Sequence, residues 1–342
     1  MKKLIMAVLL MPMMALAATW YVNGSSGSDY NSGTSQSSAK ATIQAAIDEA
    51  IDGDTILVAP GTYAPIATEN KRISIESSHG TAETFIDGDG SMRCATLHSG
   101  TAPTFWIEDE DNELYGTILR GFTLRNGWCP QSGGDNSLGG GAFGGTLEDC
   151  VISNCCAYGL GGCYASLIRR CKIVNNVACD DGGGVGHGII YDSLIAGNRA
   201  DNSYGGKAGG GVSRSKLVNC TVTGNVSVRG DSSYWGPGAA VDYSSKVYNC
   251  IIYGNTYSDG FAAYSGYSAD VDEGTGEGSS FYNCYTSDPS FVDAANGDYR
   301  LAAGSPCIDA GDNSYVVGET DLSGNQRIVN GTIDIGCYEY KP

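Results

Sequence analysis

"RCKIVNNVACDDGGGV", residues 170–185, holds one complete unit of a repeat, and its reading decides the fold. A small residue, Cys171, opens a short alternating apolar run, Asn176 closes it, and a glycine cluster, Gly182–Gly184, leads into Val185. The same order recurs in "RGFTLRN" (120–126), "DCVISNC" (149–155), "DSLIAGN" (192–198), "NCTVTGN" (219–225) and "NCIIYGN" (249–255). The anchors Gly121, Cys150, Cys171, Ser193, Cys220 and Cys250 are spaced 29, 21, 22, 27 and 30 residues apart. Asparagine usually follows five places on; Cys155 departs from this, with Asn154 one place earlier.

A period of 20 to 30 residues with one short alternating strand per unit points to a solenoid. A unit this small cannot bury its apolar face alone, so successive coils must stack. Parallel stacking sets equivalent residues about 4.8 Å apart. The six anchors are therefore expected to form one interior column, with cysteine acting as a small hydrophobe. The asparagines are expected to form a second column at the turn. The glycine turns at Gly139–Ala142, Gly161–Cys163, Gly182–Val185 and Gly209–Val212 mark the return into each coil. The expected fold is all-β: a right-handed parallel β-helix, with an N-terminal capping helix and a C-terminal capping module.

The boundaries follow the composition. Lys2 and Lys3, an apolar run and Ala15-Leu16-Ala17 have the grammar of a secretory signal peptide, assigned to residues 1–17. Residues 18–54 hold the capping helix, with Ile43, Ala46, Ile47, Ala50 and Ile51 at helical spacing and Gly53 as its end. The coils occupy 55–285 and the cap 286–342. No other stretch is apolar for long enough to cross a membrane. With both ends covered, a monomer is expected.

The net charge is −18, and losing Lys2 and Lys3 with the leader makes the chain more acidic still. Such a surface repels nucleic acid and anionic membranes. Hydrophobic residues at 42% and charged residues at 17% indicate a folded chain, not an acidic disordered one. The odd count of 13 cysteines favours buried thiols, although Cys155, Cys156, Cys163 and Cys179 lie off the column and could include a disulfide. There is no CxxC and no cysteine cluster near a histidine, which argues against zinc.

Two end motifs carry a resemblance. "WYVNGSSGSDYNSGTSQSSAKATIQAAIDEAIDGDTILVAPGTY" resembles the opening of secreted bacterial β-helix proteins of the pectin-lyase superfold. The glycine–asparagine units are similar to repeats of polymorphic outer-membrane proteins. "GDYRLAAGSPCIDAGDNS…TDLSGNQRIVNGTIDIGCYEY" is similar to the C-terminal choice-of-anchor module. The resemblance implies an exported β-helix; its members include lyases, hydrolases and adhesins, so fold does not fix function.

Asp180, Asp181 and His187 pair carboxylates with an imidazole, and the pectin-cutting hydrolases of this superfold carry paired aspartates and a Gly-His-Gly. Only five residues separate them here, against the full repeat that two coils would need, so a coil corner is the simpler reading. A lyase would need calcium-binding acids and a basic residue. Asp180, Asp181 and Asp201 could supply the first; Arg169, Lys172, Arg199, Lys207, Arg214 and Lys216 are candidates for the second, with Lys207 set beside Asp180, Asp181 and His187 as a catalytic candidate and nothing in the sequence marking one base above the others. In the tail, Asp309, Asp312, Asp321 and Asp334 are either calcium ligands or turn residues. No cofactor is certain, and calcium is the one considered.

Aromatics recur in the loop after the asparagine position: Trp128, Tyr158, Tyr204, Tyr234 with Trp235, and Tyr257. Stacked coils would place them on one side, at a spacing comparable to one hexose, where rings could receive apolar sugar faces. The aromatic, acidic insertion 256–283 could wall that groove. The reading is an exported, glycan-facing, non-catalytic β-helix acting on polysaccharide or at the cell surface. The alternatives are a polysaccharide lyase or glycoside hydrolase, and an adhesin-like structural solenoid.

Overall fold

The computed structural model describes residues 16–98, 115–129, 137–179, 182–201, 209–228, 240–242, 245–257 and 279–342. Residues 1–15, with most of the expected signal peptide, and Asp180, Asp181, Tyr204, Lys207, Tyr234 and Trp235 lie outside them. Four parallel sheets wrap a common interior, with ten, eight, six and seven strands among the described residues.

One coil shows the path. Leu167–Arg169 belongs to the first sheet, Lys172–Val174 to the second, Val177–Ala178 to the third and Val185–Gly186 to the fourth. The next coil then begins with Ile189–Tyr191 in the first sheet. Each strand of the four sheets pairs in parallel with its equivalent in the neighbouring coil, as in Lys172 with Val151 and Leu194, whereas the tail holds two antiparallel pairs. This is the expected parallel β-helix.

Sharp corners let strands of two or three residues turn around so small a core. Arg170 (φ 49°), Asn175 (φ 57°) and His187 (φ 54°) each take the left-handed conformation at successive corners of this coil. The first corner repeats in register as Gly121, Asp149, Arg170, Asp192, Asn219, Asn249 and Asn283. Polar or glycine residues fill most of this column because they tolerate positive φ best.

The interior column corrects one expectation. Val151 pairs with Thr123, so Cys150 lies in register with Phe122, and Gly121 belongs to the left-handed corner beside it. The column is Phe122, Cys150, Cys171, Ser193, Cys220, Cys250 and Cys284, nearly all fully buried. The same one-residue slip moves Asn126 into a second left-handed column with Asn154 and Asn175. Cys155, Asn176, Asn198, Asn225 and Asn255 then share one column.

Inward positions of the first two sheets are apolar. Leu119, Leu147, Ile168, Ile190, Leu217 and Val247 line the first, and Leu124, Ile152, Ile173, Ile195, Val222 and Ile252 the second, all fully buried. Each such side chain contributes roughly 1.5–3 kcal/mol on leaving water.

The helix α1 spans Ile43–Glu49, capped by Thr42, whose hydroxyl accepts the Ala45 N–H at 3.2 Å. Ile43, Ala46, Ile47 and Ala50 join the main core, and the helix packs on the strands Thr19–Val22 and Thr55–Val58. It is shorter than the apolar spacing predicts. The Asp54 carboxylate takes the N–H groups of Ile51 and Ala18 and the Trp20 indole, drawing the chain out of the helix and leaving Ile51 53% exposed.

The tail is seated along the side of the coils. Leu301, Cys307 and Ile335 pack on Ile251. Cys337 and Tyr338 pack on Leu194 and Ala196, while Tyr315 and Val317 meet Tyr191 and Val218. Asn249 ties the two parts, accepting the Asp312 N–H at 3.0 Å and donating to the Asp312 carbonyl at 2.9 Å.

Candidate functional site

The third sheet sets the geometry of the loop side. Trp128, Cys156, Val177, Arg199, Val226 and Thr256 are in register across six coils. From the first five of these strands the chain runs through a connection into the fourth sheet, at Ala142, Cys163, Val185, Val212 and Val241. The roots of these five connections, and of the insertion that follows Tyr257, therefore stand in one column. Tyr158, Asp180, Asp181, Tyr204, Lys207, Tyr234 and Trp235 all fall, by sequence, within these connections.

The glycines make the connections close tightly. Gly140 N–H donates to Gly161 O at 2.7 Å, Gly161 N–H to Gly182 O at 3.1 Å and Gly183 N–H to Gly209 O at 3.1 Å. A Cβ on Gly140 would stand 2.4 Å from Cys156 O, and one on Gly183 would stand 2.4 Å from Gly210 O. Backbone passes backbone here with no room for a side chain.

The described aromatics do not form one in-register row. Trp128 is at the outward strand position, paired with Cys156. Tyr158 lies one residue beyond the strand Cys156–Ala157, and Tyr257 pairs with Ser227. Trp128 and Tyr158 are both half-buried. By sequence, five of the six units carry an aromatic, each at a different distance from its root, and the unit rooted at Val177 carries none.

His187 lies one element beyond, at the corner between the fourth and first sheets, in register with Ala165 and Arg214. It is 4% exposed, its ring is 5.0 Å from that of Tyr164, and its backbone N–H donates to Ser213 O at 3.1 Å. Burial above all, with the nearby Arg214 cation second, holds its pKa down at about 4. The imidazole is neutral at physiological pH and faces protein.

The basic candidates are distributed around the coil. Arg169 and Lys216 project from the first sheet, Lys172 from the second and Arg199 from the third; Arg214 is at a corner. Arg199 lies 3.7 Å from Asp201. Coil register thus separates residues that sequence proximity grouped.

Register also builds a row that no sequence signal indicates. Glu76, Arg120, Glu148 and Arg169 follow one another on the outer face of the first sheet, then Tyr191. Arg120 contacts Glu76 at 2.9 Å and Glu148 at 2.7 Å, and Arg169 reaches Glu148 at 3.8 Å. Its bond to Glu148 is the main influence raising the Arg120 pKa. Each carboxylate faces a guanidinium, so this row offers polar, planar groups and not a general base.

In the tail, the aspartate oxygens are occupied by N–H groups. Asp321 accepts from Ser323, Asn325 and Glu339, Asp334 from Asp309 and Tyr340, and Asp312 from Ser314. Among the described residues no three histidine, cysteine or acidic side chains converge as a metal site. No helix among them is long and apolar enough to cross a membrane.

No family model matches the chain, and no curated protein matches it. Among solved structures it is similar to pectate lyase Pel9A, with 14% identity over 96% of this chain and 98% of that one and a TM-score of 0.41. A rhamnogalacturonan lyase gives 13% identity, 94% and 100% coverage and 0.41. XylC in complex with xylose gives 11% identity, 93% and 98% coverage and 0.40.

Proposed function

We propose that this chain is an exported β-helix protein that binds polysaccharide along its loop side, as a monomer and without cleaving it. What carries the reading is the in-register third sheet, which roots six successive connections in one column. Those connections and their roots carry Trp128, Tyr158, Tyr204, Tyr234, Trp235 and Tyr257. A coil rise of about 4.8 Å is comparable to one hexose, so consecutive coils would meet consecutive sugars. Rings of this kind stack on apolar sugar faces, and an acidic protein favours neutral over polyanionic glycans.

A second reading, polysaccharide cleavage, draws on Asp180, Asp181 and Lys207, which enter from two adjacent connections of the same column. There the aspartates would hold calcium and Lys207 would act as the base.

Calorimetric titration of the purified mature chain with a panel of soluble glycans tests the binding reading. The variant combining Tyr204→Ala, Tyr234→Ala and Trp235→Ala is expected to lose at least tenfold in affinity. Unchanged affinity, or no binding to any glycan, would overturn it. New reducing ends in the same mixtures, with calcium but not with chelator, would establish the cleavage reading instead.

A further inference from the structure

Arg327 is the one buried arginine among the described residues, 1% exposed, and it belongs to the tail. Its Nε lies 3.2 Å from Asp192 Oδ1, its Nη1 lies 3.1 Å from Glu339 Oε1, and its Nη2 donates to Gly336 O at 2.9 Å. Asp192 is not part of the tail: it is the left-handed corner between the first and second sheets, 2% exposed. One cation therefore spans the seam between the two parts of the molecule.

The surroundings hold too many acids for that single charge. Asp321 and Asp334, buried at 0% and 2%, stand in the same seam, and Asp321 accepts the N–H of Glu339. Asp309 adds its charge to that on Asp334. From the coil side Asn219 flanks Asp192, and the next cation, Arg170, is already paired with Asp149 at 2.8 Å. Cys337 and Tyr338 complete the wall, their pKa values raised by burial so that both stay neutral. Both Arg327 ion-pair contacts are longer than the 2.7–2.9 Å or so of a well-formed charge-assisted bond. Four ionised carboxylates around one guanidinium would leave unbalanced buried charge.

We propose that the tail is a proton-dependent brace, seated most firmly on the coil flank when Glu339 or Asp192 carries a proton and loosened as both ionise. Burial, the leading cause, pushes Glu339 up to about 8 and Asp192 up to about 6, against the pull of Arg327. Both folded values lie above the ordinary carboxylate range. The contribution to docking is thus complete below that range and is lost as pH rises, through about 6 for Asp192 and about 8 for Glu339. The two share Arg327, so the steps belong to the pair. Loosening would uncover Leu194, Ala196 and Ile251, the apolar flank beneath the tail.

Hydrogen exchange of the whole mature chain between pH 5 and 9, corrected for intrinsic rates, tests this. Protection of residues 320–340 is expected to fall at least tenfold between pH 6 and 9, while strand Leu194–Ala196 keeps its own. One proton can change the docking constant by no more than about tenfold per pH unit. In Glu339→Gln, and separately in Asp192→Asn, the fall is expected to shrink. A flat wild-type profile, or an equal fall in both variants, overturns the brace. Should either variant fail to fold, the near-ultraviolet dichroism of wild type decides. A signal from Tyr315 and Tyr338 that stays constant over the same range overturns it as well.

Discussion

Asn198 Oδ1 accepts two hydrogen bonds from Asn176, one from its backbone N–H at 3.0 Å and one from its side-chain amide at 2.9 Å. Asn198 repeats the arrangement toward Asn225, and Asn225 toward Asn255. Each side-chain amide also donates to an inward strand carbonyl, as Asn198 does to Ile173 O at 2.9 Å. The turn between the second and third sheets is thus satisfied in a dry interior by a chain of amides.

Asn198→Ala is expected to strand two donors of Asn176 and the Ile173 carbonyl. The loss should be about 2–4 kcal/mol, since buried groups left unpaired cost more than an average bond contributes. Asn198→Asp should do no better, because a carboxylate cannot donate to Ile173 O. Urea unfolding of the three proteins checks this; an alanine variant within 0.5 kcal/mol or so of wild type would refute it.

Much of this was legible in the sequence, and the reason is specific. Cys150, Cys171, Ser193, Cys220 and Cys250 do share one column, and Asn176, Asn198, Asn225 and Asn255 share another. Small inward residues fill this corner in five successive coils, and Phe122 shows that the coil before them takes a larger one. The slip at Gly121 arose because a glycine can serve either as a small interior residue or as a left-handed corner, and only strand pairing tells which. The row of Glu76, Arg120, Glu148 and Arg169 was illegible. Its contacts join residues 44 and 28 positions apart, and uneven connection lengths erase any period.

The thiol column sets up a second test. The Cys171 and Cys250 thiols are fully buried, and burial raises both well above the ordinary range. Cys307 and Cys337 are pushed up to about 12 by the same cause. Cys284 ends the column half-exposed, and its contact with Cys250 lowers its pKa. Timed alkylation of native protein with peptide mapping should mark Cys284 well before Cys171, Cys250 or Cys337. Equal rates at Cys171 and Cys284 would contradict the buried column.

The outer charge row predicts a small, salt-sensitive effect. Glu148 serves both Arg120 and Arg169 from a half-buried site. Glu148→Gln is expected to cost up to about 1 kcal/mol at low salt and less at high salt, as exposed pairs are screened. A larger loss that ignores salt would mean that Glu148 acts through packing.

Close approach gives a sharper contrast. Gly140→Ala would press a methyl to 2.4 Å from the Cys156 carbonyl, whereas a Cβ on Gly53 meets nothing within 4 Å and is opposed only by φ +92°. The first substitution should cost more than about 3 kcal/mol, as an overpacked site that cannot relax does, and the second only about 1–2 kcal/mol. Comparable losses in thermal unfolding would show that the connection relaxes around the added methyl.

Acid pH brings out the corner histidine. Burial holds His187 near 4, below its ordinary value, so the unfolded chain binds its proton first. Its contribution is complete above about pH 6.5 and is lost as pH falls toward 4, opposite in sign to that of Glu339 and Asp192. His187→Asn keeps a residue that tolerates the left-handed corner, so its cost at neutral pH should be the lost packing on Tyr164, and it should flatten the acid loss. Imidazole resonances followed by NMR should stay neutral down to about pH 5. A titration near 6.5 would place the ring in water, and would reopen its candidacy as an acid–base group beside Asp180 and Asp181.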